Sequence, residues 1–181
     1  MSTSTPKEEG VLIRHACRED IPSILQLIRE LAIYEKEPDA VEATPELLES
    51  SIAFAPSPSS TSSSTTETIS PTRPARCLLL FPPSSPTPAG LAIYFYNYST
   101  WKARPGIWLE DLFVREQFRG KGYGQALIKE LAREVVDMQG GRLEWCVLKW
   151  NVNSIGFYES EKIGAKAMGE WQTMRVDGEG W

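Results

Sequence analysis

Apolar residues recur at intervals of three and four at Ile21, Ile24, Leu25, Leu27, Ile28, Leu31 and Ala32, which predicts a helix with one buried face over residues 19–34. The same spacing returns at Ala126, Leu127, Leu131, Val135 and Val136 and predicts a helix over 123–138, ended by Gly140 and Gly141. Thr44 followed by Pro45 reads as the N-cap and first-turn proline of a shorter helix over 45–54. Strand-forming runs occupy 11–13, 77–81, 91–98, 107–114 and 143–148, and the run 107–114 is expected at the centre of a sheet. A helix over 152–161 and a last strand pair at 165–168 and 171–176 complete an α/β pattern with no internal repeat.

Two stretches interrupt this pattern. Residues 55–75 are Ser, Thr and Pro with almost no apolar area to offset the cost of ordering, so they are expected to be a disordered surface insertion. A second low-complexity insertion at 82–89 reads as an enlarged hairpin connection, and residues 1–10 as a flexible N-terminus. With 181 residues, 41% of them apolar, the chain can bury one core, so residues 11–181 are expected to form a single domain.

Charge narrows the ligand class. Nineteen basic against 24 acidic residues give a formal net charge of -5, which argues against nucleic acid or an anionic membrane surface as a partner and favours a cationic substrate. Cys17, Cys77 and Cys146 are odd in number and widely spaced, so they suggest neither a disulfide framework nor a metal site and are expected to be reduced core residues. No apolar run approaches the roughly 18 residues of a membrane span. The opening MSTSTPKEEG has no hydrophobic stretch of a signal peptide, so a cytoplasmic location is expected.

The densest chemistry lies at residues 109–124, where a strand, a glycine-rich turn and a helix start follow in succession. Gly120, Gly122 and Gly124 let backbone approach a ligand, and the helix beyond offers unpaired N–H groups at the positive end of its dipole. Arg115, Arg119 and Lys121 add the positive charge that a diphosphate requires. A dinucleotide fingerprint would need glycine or alanine where Gln125 stands, and no nucleotide P-loop match exists. A plain strand-to-helix turn remains the alternative.

Gln117-x-x-Gly120-x-Gly122 resembles the Gln/Arg-x-x-Gly-x-Gly/Ala signature of the GNAT superfamily of N-acetyltransferases. The match extends to Ile13-Arg14, to the helix end Leu31-Ala32-Ile33-Tyr34-Glu35, to Leu109-Glu110-Asp111-Leu112-Phe113-Val114, and to Trp150-Asn151 through Ser154-Ile155-Gly156-Phe157-Tyr158. Those segments resemble the diamine (spermidine/spermine) and thialysine acetyltransferase branch. The resemblance implies a mixed, mostly antiparallel central sheet flanked by helices, with a V-shaped cofactor opening between central strands. It also implies acetyl-CoA as cofactor, a small cationic primary amine as acceptor, and a homodimer.

Residue roles follow from the same resemblance. Glu110 is expected to be the general base, acting through water or directly, and Tyr158 the general acid. Backbone N–H of Phe113 or Val114 is expected to hold the thioester oxygen, with Leu112, Gln117, Arg119, Gly120, Lys121, Gly122, Tyr123, Gly124, Gln125, Asn151 and Ser154 also around the cofactor. Tyr34, Glu35, Glu110, Asp111 and Trp145 are expected at the amine, and the aromatic run from Tyr94 to Tyr98 with Trp101 along the amine groove. Glu37 and Asp39 read as solvated surface acids, and His15, the only histidine, as structural. Val152-Asn153 and the acidic Glu159 depart from the animal diamine enzymes, so the acceptor stays open between small amines and a protein or peptide amine, and a catalytically silent acyl-CoA-binding module is the third reading.

Overall fold

A computed structural model describes residues 10–58 and 65–176. The chain divides into two compact units, Met1–Cys146 and Val147–Trp181. The first holds β1 (Leu12–His15), α1 (Ile21–Tyr34), α2 (Pro45–Ser51), β2 (Ala75–Phe81), β3 (Gly90–Ser99), β4 (Arg104–Val114), α3 (Tyr123–Asp137) and β5 (Leu143–Trp145). The second holds α4 (Val152–Glu159).

The five strands lie in chain order in one sheet, antiparallel from β1 to β4 and parallel between β4 and β5. Alternation along the strands supplies its two apolar faces. Cys77, Leu79, Leu91, Ile93 and Phe113 pack with Ile24, Leu27 and Leu31 of α1 and Leu48 of α2. Leu78, Leu80, Ala92, Tyr94, Ile107 and Leu109 pack with Leu127, Leu131 and Val135 of α3.

The helix signals correspond to local contacts. Thr44 Oγ1 accepts from Leu47 N–H at 3.2 Å, the expected cap of α2, which ends at Ser51 rather than 54. Arg14 and Asp20, paired through two hydrogen bonds of 2.6 and 2.9 Å, tie the end of β1 to the start of α1.

Three expectations change. In the stretch 55–75, residues 59–64 lie outside the described residues, but its C-terminal half is bound: Glu67 pairs with Arg18 at 2.5 Å and Arg73 at 3.0 Å and accepts from Phe54 N–H at 3.2 Å. Two arginines satisfying one half-buried carboxylate hold that half in place, although it contributes little apolar area. Residues 165–168 and 171–176 form no strand; Met168, Trp171, Met174 and Val176 are exposed, and without a sheet partner a lone hairpin has too little to bury. Cys17 and Cys77 are buried free thiols as expected, whereas Cys146 is exposed. Residues 1–9 of the expected flexible N-terminus lie outside the described residues. Among the described residues no helix is long and apolar enough to cross a membrane.

Gly90 opposes Val114 at the end of β4, and a Cβ there would sit 2.6 Å from the Phe113 carbonyl oxygen. Backbone cannot yield as a flexible side chain does, so Gly90→Ala is expected to lower the unfolding free energy by about 2 kcal/mol or more. Chemical denaturation checks this; a variant as stable as wild type would mean that the β3–β4 pair tolerates the added methyl.

Candidate active site

The site begins with one extra residue. Ile93 pairs with Asp111 but its neighbour Tyr94 pairs with Leu109, so Glu110 stands in β4 without an opposite number on β3. Such a bulge flips the side-chain alternation beyond it. Ile107 and Leu109 face α3, yet Phe113 faces α1, while Leu112 and Val114 return to the α3 side.

The bulge also reverses the backbone. Pairing with β5 ends at Leu109 and Trp145, leaving the rest of β4 bonded to β3 alone, and this is the opening expected between central strands. Arg115 N–H donates to Ala89 O at 2.9 Å. Antiparallel alternation then aims the Phe113 N–H at Leu91 and turns the Leu112 and Val114 N–H groups toward the side where β5 has stopped. Of the two candidate donors to an acyl oxygen, the ladder leaves Val114.

Around Glu110 the structure gathers acids. Burial pushes the Asp111 carboxyl up to about 6, and the charges of Glu110 and Glu35 push in the same direction. Burial likewise raises Glu35, the residue that ends α1. No basic side chain forms an ion pair with any of the three among the described residues, so their negative charge is not neutralised by a neighbouring cation. Beside it lies an aromatic pair, Phe95 and Trp108, stacked with ring centroids 6.3 Å apart.

The glycine loop follows β4. Gly120 and Gly122 have φ of 74° and 82°, left-handed values that favour glycine, and a Cβ at Gly120 would meet nothing within 4 Å. Gly122 is the N-cap of the 15-residue α3, and no side chain caps that end. The three expected cations behave differently. Arg115 is bound on three sides, to Glu30 at 2.7 and 2.9 Å and to Pro88 O at 2.9 Å; burial pushes Glu30 up, and the hydrogen bonds from Arg115 and Gln26 together with the Arg115 charge more than reverse it. It therefore ties α1 to the loop, and it lines the cleft there as well. Arg119 bonds Val114 O at 2.9 Å and lies over the Tyr34 ring at 4.6 Å, while Lys121 lies over Phe118 at 5.4 Å and Phe118 stacks on the buried Tyr123. Glu30, Ile33, Phe113, Gln117 and Arg119 line a cleft of about 350 Å³ here.

Other expected residues part company. Trp145 packs in the α3-side cluster, across the sheet from Tyr34, which packs with α1. Tyr94 and Tyr96 both donate to Glu134 of α3, the first at 2.6 Å, so of the aromatic strand it is Phe95 that stacks beside the acids. His15, half-buried with its ring 6.4 Å from Tyr94, has its protonation disfavoured first by burial. In the second unit, Asn151 Oδ1 caps α4 by accepting Ser154 N–H at 3.2 Å, and the Tyr158 ring tilts against Phe157 at 5.2 Å. Among the described residues no group of three or more His, Cys, Asp or Glu could hold a metal ion. Trp108 was not singled out by sequence; its place two residues before Glu110 becomes informative only once the bulge is known.

Residues 44–164 match the model of the acetyltransferase (GNAT) family. The chain is 35% identical over 178 residues to thialysine N-epsilon-acetyltransferase of Bos taurus, covering 93% of this chain and 94% of that protein. It is 42% identical over 91 residues to L-ornithine N5-acetyltransferase NATA1 of Arabidopsis thaliana, a match spanning 50% of this chain and 39% of that protein. Among solved structures, an integron cassette protein from the mobile metagenome of V. cholerae superposes with a TM-score of 0.70 at 22% identity, over 94% of each chain, and shares the fold.

The Asp111 shift has a sign. A carboxyl bound to its proton more tightly when folded supports the fold below its ordinary value of 3.8 and loses that support as pH rises through about 6. Asp111→Asn is therefore expected to stabilise the protein at pH 7.5 by about 1–3 kcal/mol, with the gain shrinking toward zero near pH 4. Denaturant titrations at the two pH values check this, and an equal difference at both would show that the carboxyl titrates normally.

Proposed function

The chain belongs to the GNAT acetyltransferase family and is an N-acetyltransferase of that type; from this premise we propose that it moves acetyl from acetyl-CoA to a primary amine of a small cationic acceptor, by direct attack within a ternary complex. The observation that carries the choice of acceptor is the acidic group of half-buried Asp111 and Glu35 with exposed Glu110, beside the Phe95–Trp108 stack. Cations with aliphatic chains complement acids next to aromatic faces. The relatives named for thialysine and ornithine acetylation favour the same class.

The loop fits the diphosphate of coenzyme A in conformation and charge. An uncapped helix start behind left-handed Gly120 and Gly122, open space where a Cβ would stand, and the cations of Arg119 and Lys121 form a suitable anion cradle. Gln117 and the backbone of residues 120–125 would hold that group, and it supplies an acetyl thioester when bound. Val114 N–H, turned away from β3, would polarise the acyl oxygen, the preorganised donation that often dominates acyl transfer.

The proton has to leave the amine before it attacks. With an amine pKa near ~10.4, only about one acceptor molecule in 2,500 is neutral at pH 7, equivalent to about 4.6 kcal/mol. Glu110, exposed at the bulge, takes that proton directly or through one water, while Asp111 and Glu35 hold the remaining positive charge. Tyr158 gives the departing thiolate its proton. A homodimer belongs to the same reading, and light scattering measures it.

The test is release of free thiol from acetyl-CoA with thialysine, L-ornithine, spermidine and a peptide amine offered separately. Small cations are expected to turn over at least about 10-fold faster than the peptide; preference for the peptide, or tight coenzyme A binding without thiol release, would overturn the proposal. Glu110→Gln and Tyr158→Phe are each expected to lower kcat by about 10²-fold with little change in acetyl-CoA affinity. A variant with wild-type kcat would remove that residue from the mechanism.

A further inference from the structure

Glu110 has a dedicated hydrogen-bond partner. The indole Nε1–H of Trp108 donates to Glu110 Oε2 at 2.8 Å, and among the described residues no other side chain bonds or pairs with that carboxylate. The indole is itself held, because Trp108 opposes Phe95 across the β3–β4 ladder and the two rings stack at 29°. Phe95 in turn opposes Ala75 of β2, which packs against the α1-side core.

This arrangement answers a problem set by the bulge. A bulged residue has no opposite neighbour to fix its side chain, and an exposed glutamate with three rotatable bonds would sample many directions. Its neighbour Asp111, acidic itself, repels rather than anchors it. A charge-assisted bond from a ring clamped in the sheet removes most of that freedom and consumes one oxygen only.

We propose that Trp108 is the positioning residue for Glu110: its indole N–H holds Oε2 so that Oε1 stays free and aimed to receive the acceptor's proton. The inference rests on the reading of Glu110 as general base. Trp108 touches neither reacting atom in this scheme and acts through the carboxylate alone, so its contribution should exist only while Glu110 is a carboxylate.

A double-mutant cycle reads this directly. With acetyl-CoA and thialysine as substrates, Trp108→Phe, which keeps an aromatic ring for Phe95 but removes the N–H, is expected to lower kcat about 10-fold while KM for acetyl-CoA stays within about 2-fold. In the Glu110→Gln background the same change should alter kcat by less than about 2-fold. Should Trp108→Phe not fold, benzothienylalanine at position 108, which replaces the N–H with sulfur in a ring of the same shape, makes the same comparison. Equal losses in both backgrounds, or no loss in the Glu110 protein, would overturn the positioning role. Wild-type kcat in Glu110→Gln alone would instead bring down the base assignment, and the inference with it.

Discussion

One residue too many in β4 is the constraint on which the rest of the site depends. Were β4 regular, Leu109, Asp111 and Phe113 would share a face; with Glu110 inserted, Leu109 packs toward α3 while Phe113 packs toward α1. The same insertion swaps which backbone groups point at β3 and which point outward. Removal of Leu112 and Val114 N–H from the β3 ladder and collection of Glu110, Asp111 and Glu35 are thus two results of a single irregularity. Burial, with the charges of Glu110 and Glu35 added to it, raises the cost of ionising Asp111, a local destabilisation that a nearby cation would relieve.

The glycine loop is a second device, tied to the first through α1. Arg115 reaches across the sheet edge to Glu30, and Arg119 folds back over Tyr34 near the end of the same helix. An exposed ion pair contributes little, but this pair is mostly buried and joined by two hydrogen bonds, so it fixes where α1 ends. Glu35, the residue after α1, is therefore placed by the contact that anchors the loop. The glycine loop and the acidic group thus share one strut.

Much of the framework was legible from local pattern. The three-and-four spacing of α1 and α3 and the Thr44-Pro45 cap are determined within a few residues, and the observed helices follow them. The bulge was not legible, because Leu112-Phe113-Val114 is apolar without interruption and so hides the flip in parity that a cleaner alternation would reveal. The Arg115–Glu30 pair was not legible because the two residues lie 85 positions apart, nor were the bonds of Tyr94 and Tyr96 to Glu134, 40 and 38 positions away. Met168 to Val176 has strand composition but, among the described residues, no partner strand to satisfy it. Local propensity names such elements only when tertiary contacts agree.

If the bulge builds a cation receptor around an Asp111 carboxyl that resists ionisation, binding of an amine must drive off protons. Calorimetry of thialysine binding to the apoprotein at pH 6, in buffers of different ionisation enthalpy, measures this as protons released per amine bound. Because Asp111 is pushed up to about 6 by burial and by Glu110 and Glu35, the expected result is release of a substantial fraction of a proton at pH 6, little at pH 8 and much less in Asp111→Asn. Binding heats independent of buffer at pH 6, or release undiminished by Asp111→Asn, would contradict the assignment of this acidic group as the acceptor's receptor.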